Sequence, residues 1–271
     1  MNVQQLTLLC ASALLLAPLW LWLWQLLRRR LKPQSAAAGF DAAARARLRR
    51  DSVLYARAPA DWRRRAERCA RQLLERTRFI GCQELVVTRA MRELIAIQVG
   101  VLLAARGLAR GATPDAVLLY PGEFVAPMGG MDEHGVMHES EQVLSGEAFG
   151  TQRILLSWPD VLAGARAGDG YNVVLHEFAH QLDHALDQEL SSPDADHPWH
   201  RILNEEFLAL QAAVDAGEDT LIDPYGSDDP AEFFAVATEV FMERPEELRN
   251  QHPRLYAALR KLYGVDPAEW R

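Results

Sequence analysis

Gly170-Tyr171-Asn172-Val173-Val174-Leu175-His176-Glu177-Phe178-Ala179-His180-Gln181-Leu182-Asp183 organises the reading of the whole sequence. Val173, Val174, Leu175, Phe178, Ala179 and Leu182 recur at helical spacing and predict a largely buried helix. His176 and His180 are four residues apart, just over one helical turn, so both imidazoles leave the same face and can reach one ion. Glu177 stands beside them, where a carboxylate can take a proton from water at that ion. The pattern His-Glu-x-x-His implies hydrolysis of an amide. Zinc brings the pKa of its water to about 7, and a neighbouring carboxylate passes the proton to the leaving amine. The competing reading is a surface helix with two solvated histidines, and the apolar residues around the pair weigh against it.

A third ligand must come from elsewhere. The metzincin continuation requires glycine three residues after the second histidine and histidine three further on, whereas Asp183 and Leu186 occupy those positions. His184 is eight residues from His176, about 12 Å along a helix axis, too far to share the ion easily, and reads as a surface or supporting residue. Glu232, in Asp229-Pro230-Ala231-Glu232-Phe233-Phe234, is the best candidate, because a His, His, Glu set leaves the fourth zinc position open. The same glutamate is equally explained as the third residue of a helix capped by Asp229 with Pro230 in first position. Glu239 is the next choice, and His197, His200, Glu205 and Glu206 are weaker ones.

Charge divides the chain. Residues 1–78 hold 16 Lys plus Arg against 5 Asp plus Glu, a net +11, while the remainder holds 13 against 32, a net −19. The acidic body argues against direct binding of nucleic acid, which needs a positive face. Cys10, Cys69 and Cys82 are too scattered for a disulfide framework and form no Cys-x-x-Cys pair.

Residues 1–27 carry no charged side chain, and Leu6 to Leu27 would span roughly 33 Å as a helix, the thickness of a bilayer core. Trp20, Trp22 and Trp24 precede Arg28, Arg29, Arg30 and Lys32, as in an aromatic belt with a cytoplasmic flank. The start lacks the positive charge of a cleaved signal peptide, and the apolar run ends in arginines instead of a small-residue cleavage site. Residues 1–27 therefore read as a transmembrane anchor in the inner membrane, residues 28–60 as a basic juxtamembrane linker, and residues 61–271 as the globular body at the cytoplasmic face. Arg45, Arg47, Arg49, Arg50 and Arg57 are candidates for anionic headgroups or merely solvated.

In the body, Asp61 is positioned to cap a helix running through Leu73, and Phe79-Ile80 follows as a short apolar stretch. A helix is expected over residues 88–107, a buried strand over 116–120 where Pro121-Gly122 stops an apolar run, and two strands of one small sheet over 136–144 and 154–158. Three further helices fit residues 199–216, 230–243 and 246–263. Strands ahead of a mainly helical second half indicate an α+β domain.

The metal stretch, together with Asp229-Pro230-Ala231-Glu232, Leu119-Tyr120-Pro121 with Phe124, Leu144-Ser145-Gly146-Glu147-Ala148 and Leu156-Ser157-Trp158-Pro159-Asp160, resembles the Mlc titration factor A family of bacterial zinc peptidases over about residues 61–265. The resemblance implies a gluzincin-like fold, one zinc ion per chain on His176, His180 and Glu232, and Glu177 as general base. It implies that Tyr225, seven residues before Glu232, donates a hydrogen bond to the oxyanion, and that Asp183 can orient His180. It further implies aminopeptidase action on short peptide substrates and binding of a glucose-responsive transcriptional repressor. The apolar stretch at residues 6–27 departs from that pattern and bears on access to a soluble repressor.

Overall fold

The computed structural model describes residues 39–108, 113–122, 153–190 and 198–270. The anchor expected over residues 1–27, the first part of the linker and the strand expected over 136–144 lie outside the described residues. Among the described residues no helix is long and apolar enough to cross a membrane. The order is α1 (Ala42–Asp51), α2 (Val53–Arg57), α3 (Ala60–Arg76), β1 (Arg78–Gly81), α4 (Arg89–Leu103), β2 (Ala116–Tyr120), β3 (Arg153–Ser157), α5 (Trp158–Ala167), α6 (Val173–Leu190), α7 (Pro198–Asp215), α8 (Pro230–Glu243), α9 (Pro245–Gln251) and α10 (Pro253–Tyr263).

The strands form one parallel sheet in the order β1-β2-β3, with Phe79 opposite Val117 and Val117 opposite Ile154. Parallel neighbours need a crossover, and α4 carries the chain from β1 to β2. Phe79-Ile80 thus belongs to a strand. The third strand ends at Ser157, because Trp158 and Pro159 already begin α5.

Helix α4 is the central post. Thr88 caps it by accepting from the Met91 amide at 3.2 Å, and Leu94, Ile95, Ile97, Val99, Leu102 and Leu103 are all buried. Gly100 lets α3 approach: a Cβ there would fall 2.3 Å from the Ala66 carbonyl oxygen. The amphipathic face of α3, Trp62, Ala66, Cys69, Ala70 and Leu73, fills the other side of this contact. Asp61 does not cap α3. The helix starts two residues earlier, at Ala60 after Pro59, and Asp61 lies in its first turn, where its negative charge still meets the positive end of the helix.

The linker reading of residues 28–60 is corrected from Phe40 onward. Phe40, Ala44, Leu48, Leu54 and Tyr55 are buried in the same core as α3 and α4. The stripe is short and partly alanine, so it carries little hydrophobic signal in sequence. The arginines there pair with protein carboxylates: Arg45 with Glu67 at 2.8 Å, Arg47 with Glu93, and Arg50 with Asp51 at 3.0 Å. Arg57 donates to the Glu243 carbonyl at 3.2 Å. The single helix expected over 246–263 is two. His252, held at φ −127° and ψ 61°, precedes Pro253, whose ring disfavours helical geometry in the residue before it.

Glu67 is buried, takes the Arg45 fork on both oxygens, and also accepts from the Tyr55 hydroxyl at 2.7 Å. Glu67→Gln should therefore lower unfolding free energy by about 2–4 kcal/mol in urea at constant m-value, whereas Arg50→Ala, on an exposed pair, should change it by less than about 1 kcal/mol. Equal effects would mean that residues 42–57 are not tied to the body through Glu67.

Candidate metal centre

Asn172 starts the metal helix. Its Oδ1 accepts from the Val174 and Leu175 amides, each at 3.2 Å, which satisfies free donors at the beginning of α6. Its Nδ2 donates to Gln98 Oε1 at 2.9 Å, to the Gly164 carbonyl at 3.2 Å and to Glu243 Oε1 at 2.9 Å. Its backbone N–H donates to Glu239 Oε2. These bonds fix where the helix begins, and so the direction in which His176, four residues on, projects.

Helix α8 supplies the opposing face. Glu232, Glu239 and Glu243 are spaced by seven and four residues and share one side of it. Glu243 and Glu239 meet the start of α6, and Glu232 meets His180, so the two helices run in opposite directions. His176 Nδ1 lies 2.8 Å from Glu239 Oε1, and as Glu239 also accepts the Asn172 amide, the imidazole donates there from Nδ1. That leaves Nε2 to the other side, 3.0 Å from Glu232 Oε2 and 3.1 Å from His180 Nε2. Glu232 Oε1 is 3.5 Å from His180 Nε2.

Ligand atoms of His176, His180 and Glu232 all lie within 4.8 Å of one another. Glu232 Oε2 is buried and receives no hydrogen bond from the described residues. Two imidazole nitrogens and a carboxylate thus converge with their lone pairs on one point. A half-buried convergence of acceptors is costly unless a cation occupies it, and a His, His, Glu set with His176 oriented by a carboxylate fits a divalent metal.

Burial lowers the pKa of His176, but the hydrogen bond to Glu239 and the charges of Glu239, Glu232 and Glu177 outweigh it and hold the net value above that of ordinary histidine. Burial and the charge of His176 depress His180. The two rings are too close for both to be charged. Burial, reinforced by Glu232 and Glu239 and opposed by His176, raises Glu177 above the usual carboxylate range, which suits a group that must pick up and return a proton.

The residues expected at the site come together. The placement of Glu232 is compatible with both of its sequence readings. Asp229 Oδ1 accepts from the Ala231 amide at 2.7 Å and the Glu232 amide at 3.0 Å, while the Glu232 side chain faces the histidines. Glu239, the alternative ligand, instead holds the outer nitrogen of His176. Tyr225 sits on a 3-10 turn, Pro224–Ser227, with its ring centroid 6.1 Å from that of His176. Its phenol is pushed up by burial and then by the charge of Glu232. Asp183 lines a cavity beside Trp199 and Phe234. The weaker ligand candidates go elsewhere: Glu206 pairs with His252 at 2.8 Å, Glu205 with Arg254 at 2.7 Å, and His200 lines the cavity. His197 and the side chain of His184 lie outside the described residues. Sequence reasoning missed Asn172, Gln98 and Glu243. The signal was the 7 and 4 spacing of the glutamates, in register with Glu232.

A model of the family described as glucose-regulated metallo-peptidase M90 matches residues 24–264. An uncharacterised protein of Synechocystis sp. is 34% identical over 220 residues, which cover 79% of this chain and 80% of that protein. The protein named Mlc titration factor A in Pectobacterium atrosepticum is 35% identical over 205 residues, covering 73% and 77%. Its namesake in Edwardsiella ictaluri is 31% identical over 208 residues, covering 74% and 79%.

Glu243 offers a test of the hydrogen-bond network behind the metal. Burial raises its pKa from 4.5 to about 7, against the hydrogen bonds from Asn172 and Gly170. A carboxyl whose folded pKa lies above its unfolded one stabilises the fold below about pH 4.5, and that stability is lost as pH rises through about 7. Relative to wild type, metal-stripped Glu243→Gln should gain about 2–3 kcal/mol between pH 5 and pH 8.5 in urea unfolding. A pH-independent difference would mean that Glu243 ionises at its ordinary pKa.

Proposed function

Because the chain belongs to the glucose-regulated metallo-peptidase M90 family, we propose that it hydrolyses peptide bonds with one zinc ion held by His176, His180 and Glu232. The observation that carries this reading is the convergence of three ligand atoms, one of them a buried carboxylate oxygen without a hydrogen-bond donor among the described residues. When bound, zinc supplies Lewis acidity, polarising a peptide carbonyl and making water nucleophilic at neutral pH.

The chain's own residues do the rest. Glu177, raised by burial, takes the proton of the attacking water and returns it to the leaving nitrogen. Glu239 keeps the proton of His176 on Nδ1, so that Nε2 stays available as a ligand. Tyr225, half-exposed beside His176, is placed to donate its hydroxyl proton to the oxygen on which charge develops. Short peptides cut from the amino end are the substrates that the family resemblance favours.

The relatives' name, Mlc titration factor A, supports a second reading in which the chain also binds and titrates Mlc or a similar regulator. The two readings separate at Glu177, which hydrolysis needs and a binding surface does not. For location, the uncharged stretch at residues 6–27, with Trp20, Trp22 and Trp24 ahead of Arg28, Arg29 and Arg30, supports a single pass through the inner membrane with the body in the cytoplasm.

Glu177→Gln should keep about one zinc per chain by elemental analysis while peptide hydrolysis falls at least about 100-fold. Retained hydrolysis would sink the base assignment. Glu232→Ala should lose the metal, and full zinc affinity in that variant would remove it from the ligand set. In cell fractionation the full chain should stay with membranes in high salt, and a chain lacking residues 2–32 should be released. Release of the full chain by salt alone would rule out the transmembrane span.

A further inference from the structure

A cavity of about 480 Å³ opens between the second half of α6, the start of α7 and the start of α8. That volume lies within the range of about 300–1,000 Å³ common to small-molecule sites. Trp199, Phe207, Phe233 and Phe234 line it, with Phe233 and Phe234 each 1% exposed. The aromatic walls are braced in pairs: the rings of Trp199 and Phe234 meet edge to face at 5.9 Å, and those of Phe207 and Phe233 at 6.0 Å. The polar part of the lining holds two carboxylates, half-buried Asp183 and exposed Asp229, with the exposed side chains of His200 and Asn204 at its edge.

The cavity adjoins the metal residues along both helices. Asp183 follows His180 by three residues, on the face of α6 that carries both histidines. Asp229 precedes Glu232 by three residues and binds its amide. Each wall is therefore about one helical turn, roughly 5 Å, from a metal ligand, the distance between a peptide carbonyl and the side chain next to it.

We propose that this cavity receives the bulky apolar side chain of the residue beside the bond that is cut, and that Asp183 and Asp229 exclude acidic residues from it. The inference rests on the peptidase reading. Aromatic walls remove apolar surface of the incoming side chain from water, and a third carboxylate brought between two others is repelled. The cavity thus selects leucine and phenylalanine over alanine by size, and over glutamate by charge.

The test uses the zinc-loaded full chain on competing X-Ala-Ala-Ala and Ala-Ala-X-Ala-Ala peptides, with X as Phe, Leu, Ala or Glu, so that X stands both at the amino end and inside, and follows cleavage on either side of X by mass spectrometry. Cleavage beside Phe and Leu should exceed that beside Ala, and Glu should be cut least. Leu203→Trp, which fills the cavity, should lower the Phe to Ala ratio of kcat/KM by about 10- to 100-fold. Asn204→Trp, on the exposed rim, carries the same expectation if Leu203→Trp does not fold. A Phe to Ala ratio near one, or one that both variants leave unchanged, overturns the proposal while leaving the peptidase reading intact. Calorimetry of L-phenylalaninamide with the metal-free chain separates the two ideas. Binding that Leu203→Trp abolishes, in a chain that cuts none of the peptides, would overturn the peptidase reading and with it the cavity's place beside a cut bond, leaving a site for apolar side chains alone. Absence of both binding and cleavage would overturn both.

Discussion

The carboxylate of Glu239 is the clasp on which the site depends. One oxygen holds His176 Nδ1 at 2.8 Å and the other accepts the backbone N–H of Asn172, so a single side chain of α8 binds both the start of α6 and the histidine one turn along it. The two bonds set the rotation and the axial register of one helix against the other. With those fixed, Glu232, seven residues before Glu239, can only arrive opposite His176 and His180. The three-ligand geometry is thus a consequence of helix packing. It does not depend on three independent side-chain placements.

This arrangement works against the stability of the fold. Helix α8 is otherwise apolar, with Phe233, Phe234, Val236, Val240, Phe241 and Met242 buried, yet Glu239 and Glu243 are 2% and 3% exposed. Burial raises the pKa of both carboxyls. Hydrophobic residues at those positions would pack the same interface at lower cost. What the glutamates contribute is direction. They accept from Asn172, Gly170 and His176, and Asn172 in turn reaches Gln98 on the central helix, so the metal face is braced against the core of the domain.

Much of this was legible in the sequence where a short-range rule applies. The His176 and His180 pair, the strand over residues 116–120 and the helix over 230–243 follow from helical spacing, an apolar run stopped by Pro121-Gly122 and the Asp229-Pro230 start, and each appears at its expected place. The role of Glu239 was not legible, because spacing puts Glu232 and Glu239 on one face without saying which reaches the open side of the imidazole. Asn172 looked like an ordinary residue before a helix, and its three Nδ2 partners come from α4, α5 and α8. The docking of α1 and α2 escaped for a different reason. Their stripe relies on Ala44 and on arginines that are neutralised by Glu67 and Glu93, partners tens of residues away. Charge read as a local sum marked this segment as a solvated linker, whereas charge read in three dimensions marks it as part of the core.

The same distinction explains why a cation belongs at the centre. Around the point where His176, His180 and Glu232 converge stand the carboxylates of Glu177, Glu232 and Glu239, and the two imidazoles, 3.1 Å apart between their Nε2 atoms, can carry at most one positive charge between them. The surroundings are therefore left with an excess of negative charge in a partly water-excluded space. Without a counter-ion, that excess must be relieved by protonation, in keeping with the raised pKa values of Glu177, Glu239 and His176. The positive end of α8 offsets only a fraction of it, about half an elementary charge at the Asp229 cap. A divalent ion at the convergence point removes the need for those protons. The buried acids that weaken the apo fold are in this way the groups that make the site bind metal.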